Sequence, residues 1–451
     1  MIQDTIYWLG VAVFMATSTW YFFFFLRGKI MLNPSAYFIL AQTAMFAGSY
    51  VLLDLYNPID QDHYLQMILT QLIFIGTSVM CHYFAPVKAA EWYSQPVDPK
   101  LSRLGLIIVY SVLGVSLALS FYFFASHGGN VFLQGLAARN TGDSSFNADT
   151  ARRGFEDSSD SMLRAGYALQ FRDYMAPPLV ALLFVIGKLT RNRPLTWFAI
   201  FLSPVAIICA LGTGQRAGFF DAVICVALFC AASFPKEQAK RALIFTVLVG
   251  LVFFGLGTIA LGRHGMNGNS VGVNGDNGPL AEGLQRFTQS NQESSVEAFR
   301  FAEMHPFGQG TVFGDLLGLL PSSIADKPTH SLSSSTFEVM YGSTDGTSPG
   351  SIWTHIRYDF GLYATLLYAV LLAILFHAVY RKMLSGSRSV VRILMYSGIA
   401  TTFGTWIAGG LDSPFDHGIV AYLFLGWLLS KGVETAGKKA TLYMQPKALP
   451  S

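Results

Sequence analysis

Charge is what this sequence has least of. Across 451 residues, Asp, Glu, Lys and Arg make up 13%, about half the usual share in a soluble globular protein. A soluble fold of this length could bury a large core but would still need a charged surface, and this chain has too few charges to make one. Cysteine is scarce as well. All four, Cys81, Cys209, Cys225 and Cys230, fall inside apolar runs, which argues against disulfides and a thiolate metal site. The net charge of +3 is small and no basic stretch is interleaved with aromatics, so no nucleic-acid partner is expected. Internal repeats, low-complexity tracts and a soluble domain are absent. Residues 5–26 have no basic residue before them and no clear cleavage site, so they read as a retained first helix.

Apolar residues are plentiful, at 52%, and they come in unbroken runs near the ~20 residues needed to span a bilayer. The expected fold is an all-α integral membrane protein, one polytopic domain over 1–451, with about eleven transmembrane helices. The candidate spans are 5–26, 35–56, 64–84, 104–125, 174–189, 195–211, 217–234, 242–261, 360–380, 393–408 and 418–433. Pro177-Pro178 should bend the fifth. Loops on alternate sides differ in charge, with 19 Lys and Arg on one side and 11 on the other. The richer side is read as cytoplasmic, which puts the N-terminus outside and the C-terminus inside. Two long outer loops then stand out, 126–173 and 263–359, and long loops without regular structure are commonly functional.

The titratable groups follow the same division. Inner loops hold only Glu91, Asp98, Glu237 and Glu434 as carboxylates, while seven of the nine histidines fall outside. Acid–base chemistry needs such groups within reach of a substrate, so function is expected at the outer face. Ten of the eleven outer basic residues are arginine. Arginine's planar fork binds phosphate oxygens bidentately and keeps its charge when partly desolvated, which suggests a phosphate or pyrophosphate ligand. The competing reading is that these arginines pair structurally with nearby carboxylates.

Asp276-Asn277-Gly278 followed by Pro279 predicts a helix start, and the helix is expected over 280–304. On it Arg286, Glu293, Glu297 and Arg300 fall within roughly 60° of one face. They form either a salt-bridged surface or the wall of a polar cavity, with Glu293 or Glu297 as base. Asp60-Gln61-Asp62 fits an Asp-x-Asp metal pattern but reads better as a solvated turn, and no metal site is assigned. Asp221 lies one turn beyond Arg216 near a membrane boundary, which is costly unless it is paired or functional. His82 and His377 sit at inner helix ends.

Several outer segments resemble bacterial Wzy-type O-antigen polymerases. Gly214-Gln215-Arg216, after Leu211-Gly212-Thr213, is similar to that family's small-residue–Arg motif. So are Gly314-Asp315-Leu316 and the run Leu319-Leu320-Pro321-Ser322-Ser323-Ile324-Ala325-Asp326-Lys327-Pro328. Gly350 through Tyr358-Asp359-Phe360-Gly361 matches the start of the helix after the large loop. Arg263-His264-Gly265-Met266-Asn267 and Gly410-Leu411-Asp412-Ser413 resemble the enterobacterial common antigen polymerase branch. The similarity runs in order from about Arg139 to Asp412.

The resemblance implies a membrane-embedded glycosyltransferase of the C type in the bacterial inner membrane. It would move a growing undecaprenyl-pyrophosphate-linked polysaccharide onto a lipid-linked oligosaccharide repeat unit. Implied partners are these lipid-linked glycans, membrane lipid, a chain-length regulator and a flippase, with no cofactor. The candidate catalytic residues are Glu293, Glu297 and His355. Arg139, Arg216, Arg263, Arg286, Arg300 and Arg357 are the candidate pyrophosphate ligands. The alternatives are an O-antigen ligase, with lipid A–core as acceptor, or a lipid-linked oligosaccharide transporter, which should carry broken helices and midplane charges. A non-catalytic assembly subunit would not need the outer arginines.

Overall fold

The computed structural model describes residues 2–49, 52–141, 146, 151, 168–214, 217–260, 291–305, 331–342, 348 and 350–443. Among them every regular element is a helix, and two isolated bridges, Asp98 with Ser389 and Ser351 with Ala408, are the β contacts. In chain order the α-helices are α1 Ile2–Thr19, α2 Pro34–Ser49, α3 Pro58–Phe84, α4 Ala89–Ser94, α5 Arg103–Ser126, α6 Val131–Thr141, α7 Ala176–Leu189 and α8 Arg193–Leu211. They continue as α9 Ala217–Ser233, α10 Lys236–Ala260, α11 Asn291–Met304, α12 Leu332–Tyr341, α13 Ile352–Leu384, α14 Val390–Thr405, α15 Ser413–Asp416 and α16 Ile419–Tyr443. Each of the eleven apolar runs contains described helix, the second of them as far as Ser49. Six helices among the described residues are long and apolar enough to cross a membrane. Helices suit such runs because they satisfy all backbone hydrogen bonds internally, which hydrocarbon demands.

Local chemistry sets the boundaries. Asn57 caps α3 by accepting the Ile59 amide at 3.0 Å, with Pro58 supplying the first helical position. Ser102 caps α5 through the Gly105 amide at 3.0 Å, and Ser351 caps α13 through Thr354 at 3.2 Å. Pro177 stands in the first turn of α7, where a missing N–H costs nothing. The irregularity expected there is a π-helical turn, Gln170–Met175, just before it.

Three expectations need correcting. Asp60 is not in a solvated turn, because the Asn57 cap starts α3 early and places Asp60 in its first turn, fully buried. The large outer loop ends before residue 359: a helical segment starts at Ile352 and meets the ninth span at a break at Gly361, whose φ of 80° and ψ of 179° belong to a region essentially reserved for glycine. Four further helices, α4, α6, α12 and α15, occupy stretches read as loop. The expected start of the 280–304 helix lies outside the described residues, and its second half is α11.

The Gly361 break carries an expected result. Gly361→Ala forces a Cβ into that conformation and should destabilise the protein by about 1–3 kcal/mol. A lowered melting temperature in detergent checks it, and an unchanged one would mean the helix is continuous there.

The chain divides into two compact units. The first comprises Met1–Glu91, Leu280–Gly386 and Ala400–Asp416, and the second comprises Trp92–Pro279, Ser387–Ile399 and His417–Ser451. In the first, aromatic side chains fill the space between helices. Phe14 stacks on Phe46 at 4.0 Å between centroids, and Phe38 packs on Phe74, Trp353 and Phe376. In the second, Arg388 ties connections together. Its guanidinium donates to the Tyr93 and Gln95 carbonyls at 2.6 Å and to Ala232 at 2.7 Å, and it lies over the Trp92 ring.

Candidate functional site

Within the second unit, glycines build a turn at the end of α8. Any Cβ on Gly212 would strike the Phe124 ring and the Asn130 amide, and Gly214 has a φ of 73°. The Gly212 carbonyl accepts the Val131 amide at 2.7 Å, while Asn130 Nδ2 donates to the Ile208 carbonyl at 3.1 Å. These bonds seat α6 beside the turn. The small-residue segment that carries the family resemblance is therefore a close-packed corner. Arg216, two residues beyond it, lies outside the described residues.

Past that corner a polar array sits among apolar helices. Arg172 and Asp173, in the π-helical turn, form a bidentate pair: Nε donates to Oδ1 at 2.6 Å and Nη2 to Oδ2 at 2.7 Å. Both side chains are fully buried. Gly218 lies against this carboxylate, and a Cβ there would collide with Asp173 Oδ2, so α9 can approach only because position 218 is bare. One turn along α9, Asp221 Oδ2 accepts the Tyr174 hydroxyl at 3.2 Å and pairs with His417 Nδ1 at 2.5 Å. Gly418, with φ 85°, lies against the Tyr174 ring, which any Cβ there would strike. The Asp221 side chain is 5% exposed and that of His417 is 23% exposed.

Electrostatics make this array unusual. Arg172 balances Asp173, and among the described residues Asp221 pairs with His417. Burying a carboxylate among apolar helices costs several kcal/mol unless it is paired, and the Tyr174 hydroxyl and the His417 ring supply that pairing.

The first unit holds a second polar group of residues. Arg300 on α11 donates to both oxygens of Asp60, at 2.9 and 2.5 Å, and to Glu297 at 2.5 Å. Its hydrogen bond to Asp60 raises the pKa of the guanidinium above its ordinary value, so it stays cationic. Arg357 on α13 donates to Glu303 at 2.5 Å and to Gln66 at 3.2 Å, and its guanidinium lies over the Phe299 ring. His355 is buried, and neither ring nitrogen has a hydrogen-bond partner among the described residues. The Gly350 carbonyl accepts the Gly409 amide at 2.9 Å and the Ile407 carbonyl accepts Ile352 at 3.0 Å. These bonds join the segment beginning at Gly350 to the one ending at Ser413.

Set against the expected site, the structure gathers Glu297, Arg300, His355 and Arg357 in the first unit. Arg300 and Arg357 already hold carboxylates, so a diphosphate would have to displace them. Glu293 is exposed. Arg139 stands exposed in the last turn of α6, in the second unit. Arg216, Arg263 and Arg286 lie outside the described residues, as do 313–328. Asp221, read as either a partner of Arg216 or a substrate residue, binds Tyr174 and His417, and its relation to Arg216 lies outside the described residues. Sequence reasoning missed Arg172, Asp173 and His417. The available signal was an adjacent Arg-Asp pair abutting an apolar run, together with a histidine at the start of the last one.

No protein-family model, curated protein or solved structure matches the chain.

Proposed function

We propose that this protein is a membrane glycosyltransferase that polymerises undecaprenyl-pyrophosphate-linked oligosaccharide repeat units at the outer face of the bacterial inner membrane. The observation that carries the reading is the Tyr174–Asp221–His417 array beside the buried Arg172–Asp173 pair. It is set just past the glycine corner that resembles the polymerase motif. In this reading the eleven spans and basic inner loops expected from the sequence leave this array and both long loops on the outer side.

In this reading the acceptor sugar hydroxyl attacks the anomeric carbon of the donor. The anomeric carbon–oxygen bond to pyrophosphate breaks, its electron pair leaves with the pyrophosphate oxygen, and the hydroxyl proton passes to His417. Asp221 fixes the imidazole through Nδ1 and stabilises the imidazolium that forms. Direct displacement inverts the anomeric centre. Arg139, Arg216, Arg263 and Arg286 are the candidate arginines left to neutralise the leaving diphosphate, a role that requires no metal in principle.

Purified protein given a synthetic undecaprenyl-pyrophosphate-linked repeat unit should release one undecaprenyl pyrophosphate per linkage formed, and should do so in EDTA. No release would refute the reading. Release that depends entirely on a divalent ion would refute the arginine role.

A further inference from the structure

We infer that the first unit carries a binding site for an anionic phospholipid, in a groove between α3 and α13 at their basic ends. The groove encloses about 890 Å³, a volume typical of small-molecule sites. Its walls are apolar, with Met80 and Phe84 from α3 facing Val370 and Ile374 from α13. At one end it is closed by Arg381, Lys382 and Ser385, and no carboxylate lines it. This proposal stands apart from the glycosyltransferase reading and needs only the charge-based orientation, which puts Arg381 and Lys382 at the cytoplasmic surface.

Dimensions and charge select the occupant. The apolar wall runs from Val370 to Ala378 on α13 and from Thr77 to Ala85 on α3, roughly 12 Å each at ~1.5 Å per residue. Half the hydrocarbon core is about 15 Å. The apolar walls therefore approach the depth of one leaflet, and the cations stand at headgroup level. An acyl chain fits the walls, while a phosphodiester fits the cationic end. Free phosphate would satisfy only the end, and a zwitterionic lipid would bring an unmatched cation.

A buried polar atom points the same way. His377 forms part of the wall, and its Nε2 bonds the Ala85 carbonyl at 2.9 Å. Its Nδ1 is buried with no partner among the described residues, although the side chain is only 5% exposed. Such an atom in an apolar wall is costly unless a ligand meets it, and a headgroup hydroxyl can. His82 packs edge-on against this ring at 4.5 Å, Phe25 packs on His82, and Lys29 lies over Phe25 at 5.2 Å. A third cation is thus held near the same end. Basic pockets between transmembrane helices on the cytoplasmic side bind anionic headgroups by this arrangement.

The test uses full-length protein in neutral detergent and native mass spectrometry. The probes are dioleoyl phosphatidylglycerol, dioleoyl phosphatidylcholine and inorganic phosphate. Phosphatidylglycerol should bind at least tenfold more tightly than phosphatidylcholine. Arg381→Gln with Lys382→Gln should weaken it by roughly 30-fold, from about 1 kcal/mol per cation near the surface. Lys236→Gln with Lys240→Gln, on the second unit, should leave binding unchanged. Ala378→Phe, at an exposed position lining the groove, should weaken phosphatidylglycerol without altering the melting temperature of lipid-free protein. Equal binding of the two lipids, displacement by phosphate, or full affinity in the Ala378→Phe protein would each overturn the site.

Discussion

Replacing His417 by glutamine should lower polymerisation by roughly 10²- to 10⁴-fold, the range a positioned general base contributes. Glutamine can keep a hydrogen bond to Asp221 but cannot take a proton from an acceptor hydroxyl. Asp221→Asn keeps the side chain's shape, yet it removes the charge that holds and stabilises the imidazolium, so a loss of similar order is expected. Because both changes act on one unit, the double variant should be little worse than either single one. The measurement is initial rate of linkage formation, alongside the melting temperature of each variant. Near-normal rates in folded His417→Gln protein would remove His417 from the chemistry and return the role of base to Glu293, Glu297 or His355.

The largest effect on stability is expected at Arg172. Its guanidinium is the only group shown bonding the Asp173 carboxylate, and both side chains are fully buried. Arg172→Met deletes one charge and strands the other, a change that costs about 3–5 kcal/mol. Removing both charges with Arg172→Met and Asp173→Leu should recover most of that loss, since apolar replacement of a buried ion pair is often neutral. The readout is the unfolding midpoint of purified protein in detergent. A single variant as stable as wild type would mean that Asp173 has another counter-charge or reaches water.

The two predictions separate what the sequence makes legible from what it hides. Helices were readable because a bilayer-length apolar run has one local solution for its backbone, so α5 and α8 fall within two residues of the runs that announced them. The start of α3 was also readable in principle, since Asn57-Pro58 is a cap followed by a favoured first residue. The Asp-x-Asp pattern drew attention away from it. Partners were not readable. Asp221 finds His417 across 196 positions, and Arg300 finds Asp60 across 240. Local spacing pairs Asp221 with Arg216 and Arg300 with Glu297, and only the second of these appears among the described contacts. Glycine was informative where the backbone had to pass closely, as at Gly212 and Gly218, although which side chain needed the space could not be inferred.

One assay bears most directly on the central claim. Purified protein in lipid nanodiscs is given a single defined undecaprenyl-pyrophosphate-linked repeat unit, with no lipid A–core and no nucleotide sugar, and the products are separated by size over time. A polymerase should yield a ladder whose steps equal one repeat unit, still lipid-linked and lengthening with time. Repeat units that remain single, or that extend only when lipid A–core is supplied, would contradict it.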